Sequence, residues 1–104
     1  MAANARSAFV PNTASTVTVA ATTTSGSTQV ALIGNGRNVL ITNAGTATAF
    51  VELGSSSATA ATTTGLPVLS GEILCLGRPD ASTHAVAITA SGTATVYVTT
   101  GDGD

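Results

Sequence analysis

Three observations predict an all-β fold, an antiparallel β-sandwich or jelly-roll-like barrel of about seven strands. Short runs rich in Val, Ile and Thr alternate apolar with polar and stop at Gly, Pro, Asn or Ser, as half-buried strands do. Helical periodicity is nearly missing. One phrase is also written twice, ITNAGTATAFVEL from Ile41 and ITASGTATVYVTT from Ile88, at a spacing too long for one hairpin and suited to two halves of a sandwich.

Residues 1–14 read as an N-terminal arm and residues 15–104 as a single sandwich domain. In STVTVAA, Val17, Val19 and Ala21 point one way while Thr16, Thr18 and Ala20 point the other. TQVALI and RNVLITN follow as a predicted hairpin, because Gly34, Asn35 and Gly36 between them tolerate the positive φ of a tight reversal. In the first copy of the repeated phrase the alternation breaks at Asn43-Ala44-Gly45, where a left-handed Gly would close a hairpin loop with a bulge. Ala90-Ser91-Gly92 holds the same place in the second copy. Past the turn, Ala47, Ala49, Val51 and Leu53 share one face, as Ala94, Val96 and Val98 do in the second copy, with Phe50 and Tyr97 on the opposite face. The small, polar run from Gly54 to Pro67 reads as an exposed or subunit-contacting loop. Glu72 to Leu76 is expected to be the most buried strand, since Ile73 and Cys75 on one face and Leu74 and Leu76 on the other are all apolar. His84–Thr89 and Thr93–Thr99 make the closing hairpin.

Composition bounds the function. A chain of 104 residues has room for one core. Its hydrophobic share is 43%, much of it Ala, and Phe9, Phe50 and Tyr97 are the whole aromatic supply. Charged residues are 8%, against a usual share of roughly 25%, and Lys is absent. The abundance of β-branched residues argues against disorder. A formal charge of −2, with Arg6, Arg37 and Arg78 scattered, leaves no basic stripe for phosphates, so no direct nucleic-acid partner is expected. No run approaches the roughly 18 apolar residues that span a bilayer, and MAANARSAFVPNTAS lacks an apolar leader core, which predicts a protein made in, and soluble in, a cytosol. Cys75 stands alone, so no internal disulfide can form.

Few residues offer chemistry. Asp80, Ser82 and His84 are the residue types of a hydrolase triad, but no nucleophile elbow such as G-x-S-x-G accompanies them. Asp80 and His84 fall short of the three or four ligands of a zinc site, and Cys75 among Leu residues reads as a small buried hydrophobe. Asp102 and Asp104 in the terminal GDGD lack the remaining ligands of a calcium loop. GNGR at Gly34–Arg37 precedes a strand, whereas phosphate-cradling loops precede a helix. The expectation is therefore no enzyme, no cofactor and no metal.

The surface points instead to association. Strands exposing Thr, Ser and Ala carry little charge to discourage edge pairing, so a homo-oligomer is expected. Phe9, Val10 and Pro11, ahead of the first strand, and Arg37 and Arg78, as possible partners of Glu52 or Glu72, are the candidate subunit or capsid contacts.

Two stretches carry a family resemblance: ITNAGTATAFVELGSSSATAATTTGLPVLSGEIL and HAVAITASGTATVYVTTGDG. They resemble the small Ala/Thr/Gly-rich virion proteins of tailed bacteriophages, in which a VTNAGTATAFV phrase, a Thr-rich loop, a PL-x-G turn and a closing ITATGTATLYVT phrase recur. The likeness covers Asn38 to Gly103, and the shared positions are strand apolars and the turn glycines Gly45, Gly71 and Gly92. It implies a capsid decoration or cement protein on the head exterior, bound to the major capsid protein and often trimeric, with no catalytic residues to carry over. Two other functions compete. A head or tail fibre component binding a host surface glycan would want aromatic platforms, and Trp is absent. A small hydrolase would rest on Ser82, His84 and Asp80.

Overall fold

A computed structural model describes residues 8–23, 29–58, 60, 62–79 and 82–103. The strands are β1 (Val10–Ala21), β2 (Val30–Ala31), β3 (Asn38–Asn43), β4 (Ala49–Gly54), β5 (Leu66–Val68), β6 (Ile73–Gly77), β7 (His84–Thr89) and β8 (Ala94–Asp102). They form two four-stranded antiparallel sheets, ordered β1-β8-β3-β6 and β2-β7-β4-β5. The order describes a ribbon doubled at the loop after β4, so that β4 meets β5, β3 meets β6, β2 meets β7 and β1 meets β8. Rolling the doubled ribbon then sets β8 beside β3 and β7 beside β4. This is the eight-strand jelly roll. The strand absent from the sequence-based expectation is β5, three residues long and centred on Pro67.

Period-2 alternation builds the interior. Val17, Val19 and Ala21 of β1, Val39 and Ile41 of β3, and Val96 and Val98 of β8 face Ala49 and Val51 of β4, Val68 of β5, and Ala85 and Ala87 of β7. The side of the sandwich at β1 and β2 is closed by the chain itself. Because β2 is only two residues long, the end of β1 takes over beside β7, with Thr22 bridging Ile88 in parallel and its carbonyl accepting from the Thr89 N–H at 2.8 Å.

The two copies of the repeated phrase run from the end of β3 into β4 and from the end of β7 into β8, so they touch all four central strands and lie against each other in both sheets. Neither is a hairpin. Each turn carries the chain from one sheet to the other, as does the turn between β2 and β3. Hairpins and such arches share the same alternation and the same turn residues, so sequence does not separate them. The copies align without a gap, yet the connection between strands spans 90–93 in the second copy and 44–48 in the first, and the facing of β7 is reversed relative to β3. Ile41 is therefore in the main core, while its counterpart Ile88 faces outward with Val86. Ala60 and Ala58 cover that outer pair beside Phe50, so part of the Gly54–Pro67 loop is a lid on the second sheet rather than free surface.

Other expectations also change. Residues 10–14, expected in an arm, belong to β1 and pair with β8 of the same chain, Val10 opposite Asp102 and Pro11 opposite Gly101. The register then shifts before Thr16, with Ala14 at φ 54. Ser15 and Asn12 turn this irregularity to use. Ser15 Oγ donates to Thr100 O at 2.9 Å and Asn12 Nδ2 to Thr100 Oγ1 at 3.1 Å, while Thr100 Oγ1 donates to Ile33 O. Residues 1–7 of the expected arm lie outside the described residues. β6, expected to be the most buried strand, is an edge strand, with Ile73 61% exposed and Cys75 half-buried on the outer face.

Two polar and backbone devices hold the turns. Asn43 is fully buried; its Nδ2 donates to Ala47 O at 2.9 Å and Val68 O at 2.8 Å, and its Oδ1 accepts from Gly45 N at 2.9 Å. Gly45 is not left-handed as expected. It is glycine because a Cβ there would sit 2.6 Å from Ala94 Cα. Gly36 likewise lets its backbone lie on that of Gly101, where any side chain would overlap.

Asn43→Ala is expected to cost about 2–4 kcal/mol in urea unfolding, since it strands the buried Val68 carbonyl and the half-buried Ala47 carbonyl. Gly36→Ala should cost about 1–3 kcal/mol. Gly77→Ala, where a Cβ meets open space, should stay within about 0.5 kcal/mol.

Candidate functional site

The residues with catalytic potential are occupied structurally. Ser82 is buried and its Oγ donates to Pro79 O at 2.7 Å, which tightens the turn before β7. His84 opens β7, and its Nδ1 lies 2.8 Å from Thr83 Oγ1. Asp80, the third member of the expected constellation, lies outside the described residues, as does Asp104. Asp102 Oδ1 accepts from the Arg37 N–H at 3.1 Å. Cys75 Sγ donates weakly to Gly103 O at 3.5 Å. Among the described residues, no three His, Cys, Asp or Glu gather around a common point.

The candidate contact residues divide. Arg78 works within its own chain: Nη1 donates to Gly34 O at 2.9 Å and Gly36 O at 3.3 Å, and Nε and Nη2 donate to Ser82 O at 3.3 and 2.9 Å. The planar fork thus ties the β2-β3 turn to the β6-β7 turn at one end of the sandwich. The expected pairing with Glu72 does not form, because Glu72 Oε1 accepts the Leu69 N–H at 2.9 Å. Arg37 projects an exposed side chain from the same end. Phe9 fills the space that a side chain on Gly101 would need, Pro11 is exposed, and Val10 is 64% exposed.

Two surface features stand out. The first is the outer face of the β1-β8-β3-β6 sheet. Strand register sets out two cross-strand rows there, Thr16-Thr99-Leu40-Cys75 and Thr18-Tyr97-Thr42-Ile73. Neither contains a charge. Thr16 and Thr99 hydroxyls bond each other at 2.7 Å, and Tyr97 (39% exposed) and Ile73 are the bulky members. Sequence alternation put Thr16, Thr18 and Tyr97 outward, but the neighbours of Tyr97 and the exposure of Ile73 depend on which strands pair.

The second feature is an open cleft of about 410 Å³ between the edges β5 and β6, on the side that β1 does not close. Ile41, Val51, Leu53 and Leu76 form its floor and Leu66 and Pro67 its rim, with Glu52 also in the lining. It exists because β5 stops early: the β4-β5 ladder ends at Val51 opposite Leu66, leaving the edge of β4 beyond it uncovered. With Gly54–Pro67 read as a loop, the sequence carried no signal for a cleft beside a strand at Pro67.

Arg78→Ala is expected to lower unfolding free energy by about 1–2 kcal/mol in a thermal or urea melt, with Arg78→Lys failing to restore it because one ammonium cannot span the two turns. Arg37→Ala should change it by less than about 0.5 kcal/mol. Comparison of the chain with protein-family models, with curated proteins and with solved structures gave no match.

Proposed function

We propose that this chain is a structural virion protein of a tailed bacteriophage, a capsid decoration or cement protein that stabilises the head by binding the lattice of the major capsid protein. The observation that carries the reading is the uncharged outer sheet face built on Thr18, Tyr97, Thr42 and Ile73. A pleated face of hydroxyls and short apolar groups loses little on desolvation, because no ion has to be stripped of water. Specific contacts bury about 1,200–2,000 Å² in total, and many copies on a repeating shell hold it collectively even when each contact is weak. The repeated ITNAGTATAF and ITASGTATVY phrases, which resemble those of phage virion proteins, contribute to all four central strands of the two sheets. No step of this function asks for a nucleophile, a cofactor or a metal.

The test is reconstitution. Purified protein added to heads lacking it should bind and appear by electron microscopy on the outer shell, with raised resistance of the heads to heat. Thr18→Glu combined with Tyr97→Glu should cut occupancy at least about ten-fold, since each buried carboxylate without a partner costs more than the 1.4 kcal/mol that a factor of ten represents. Density confined to the tail would overturn the reading in favour of a fibre component, and a glycan array would then be the next measurement.

A further inference from the structure

Four strands end the two sheets, and three of them are poor templates for another chain. β2 has two residues; β5 has three, including Pro67; β1 carries Pro11 and the irregularity at Ala14. Short strands, prolines and bulges are the usual means of blunting an edge. β6 has none of them. Its five residues, Ile73–Gly77, read ILCLG, with no charge, no Pro and an unbroken register against β3.

The direction of its free groups follows from the ladder. Arg78 N–H donates to Arg37 O, Glu72 O accepts from Asn43 N, and Leu76 O accepts from Asn38 Nδ2, so the even-numbered residues turn their backbone groups toward β3. Alternation then turns the N–H and C=O of Ile73, Cys75 and Gly77 to the open edge.

We propose that β6 pairs antiparallel with β6 of a second copy about a twofold axis at Cys75, joining their β1-β8-β3-β6 sheets into one continuous sheet. In that register Cys75 faces Cys75 of the second copy and Ile73 faces its Gly77, so every outward backbone group finds a partner. A shift by two residues leaves groups unpaired, and a shift by one sets outward groups against inward ones. The Ile73 side chain, 61% exposed in the single chain, gains a place over Gly77 of the second copy, where a Cβ meets nothing. The cleft opens along this same edge, with Leu76 and Gly77 in its lining. Pairing sets the two clefts side by side across the axis. The contact rests on β6 and the cleft and is independent of the virion reading. Being twofold, it is also distinct from the threefold clustering that the resemblance implies.

A five-residue edge is small for a specific interface, so the dimer is expected to populate at about 0.1–1 mM. Sedimentation velocity across about 0.01–1 mM, together with copper-phenanthroline oxidation, tests it. The expected result is a monomer–dimer shift and a covalent dimer through Cys75. Opposed residues in a hydrogen-bonded antiparallel pair have Cα atoms about 5.5 Å apart, within the span of a disulfide. Ile73→Lys, at an exposed position, should keep the monomer's melting temperature and reduce the covalent dimer at least about ten-fold. In a Cys75→Ser background, chains with Ile73→Cys and with Gly77→Cys should cross-link when mixed and hardly at all when separate. A monomer throughout with no Cys75 cross-link above that of the urea-unfolded chain would overturn the proposal. So would an oligomer that does not cross-link through Cys75, or a yield unmoved by Ile73→Lys.

Discussion

The structure depends on a core made almost entirely of Val and Ala. Of the thirteen residues in the main cluster, Ile41 is the only one that is neither. Each such side chain removes little apolar surface, and hydrophobic gain scales with the area removed. Stability must therefore come from completeness: every strand paired, each turn tied and no buried polar group left over. The fully buried Asn43, Thr89 and Thr100 meet that demand, Thr89 Oγ1 by donating to Gly92 O at 2.7 Å and the others through the bonds described above.

Small side chains also let backbones approach, and the fold uses this at its ends. At one end Gly36 lies on the backbone of Gly101, which in turn lies on that of Val10 and Pro11 with the Phe9 ring beside it; at the other, Gly45 lies on Ala94. Arg78 then gathers the carbonyls left over at the Gly36 end. A composition poor in bulk and charge leads to one kind of architecture, in which cohesion lies in the main chain. The outer face of the β1-β8-β3-β6 sheet shares the lack of charge, whereas that of the second sheet carries Val86, Ile88 and Phe50 beneath Ala58 and Ala60.

Much of the strand pattern was legible in the sequence, because period-2 alternation survives every tertiary arrangement: Val17, Val19 and Ala21, and Ala94, Val96 and Val98, face inward as their spacing dictates. Sheet membership was not legible. Hairpin and arch use the same Gly and Asn at the turn, and nothing local says whether a strand folds back beside its predecessor or crosses above it. The reversed facing of β7 relative to β3 is invisible in two phrases of identical spacing. β6 misled for a related reason. Apolar residues on both faces usually mean a central strand, but here Leu74 and Leu76 pack inward while Ile73 stays exposed at an edge. The candidate site was accordingly visible only in its ingredients. Phe9, Val10 and Pro11 proved to sit on their own sheet, and Arg78 proved to be a brace.

The doubled ribbon also dictates an order of assembly. Among the described residues, β4 and β5 are the only strands adjacent in the chain that also share hydrogen bonds, and each further pair, β3 with β6, β2 with β7 and β1 with β8, encloses a longer loop. Closing long loops ahead of any contact is entropically slow, so mean sequence separation governs folding speed. Zipping from the middle outward makes the pairing of β1 with β8, whose partners Val10 and Asp102 stand 92 positions apart, the last and slowest. On a ribosome, β1 emerges first and waits for a mate made last, with Val17 and Val19 bare in the interval. A chain with so few charges has little to keep it solitary during that wait, which places a premium on fast, concerted closure around its central loop.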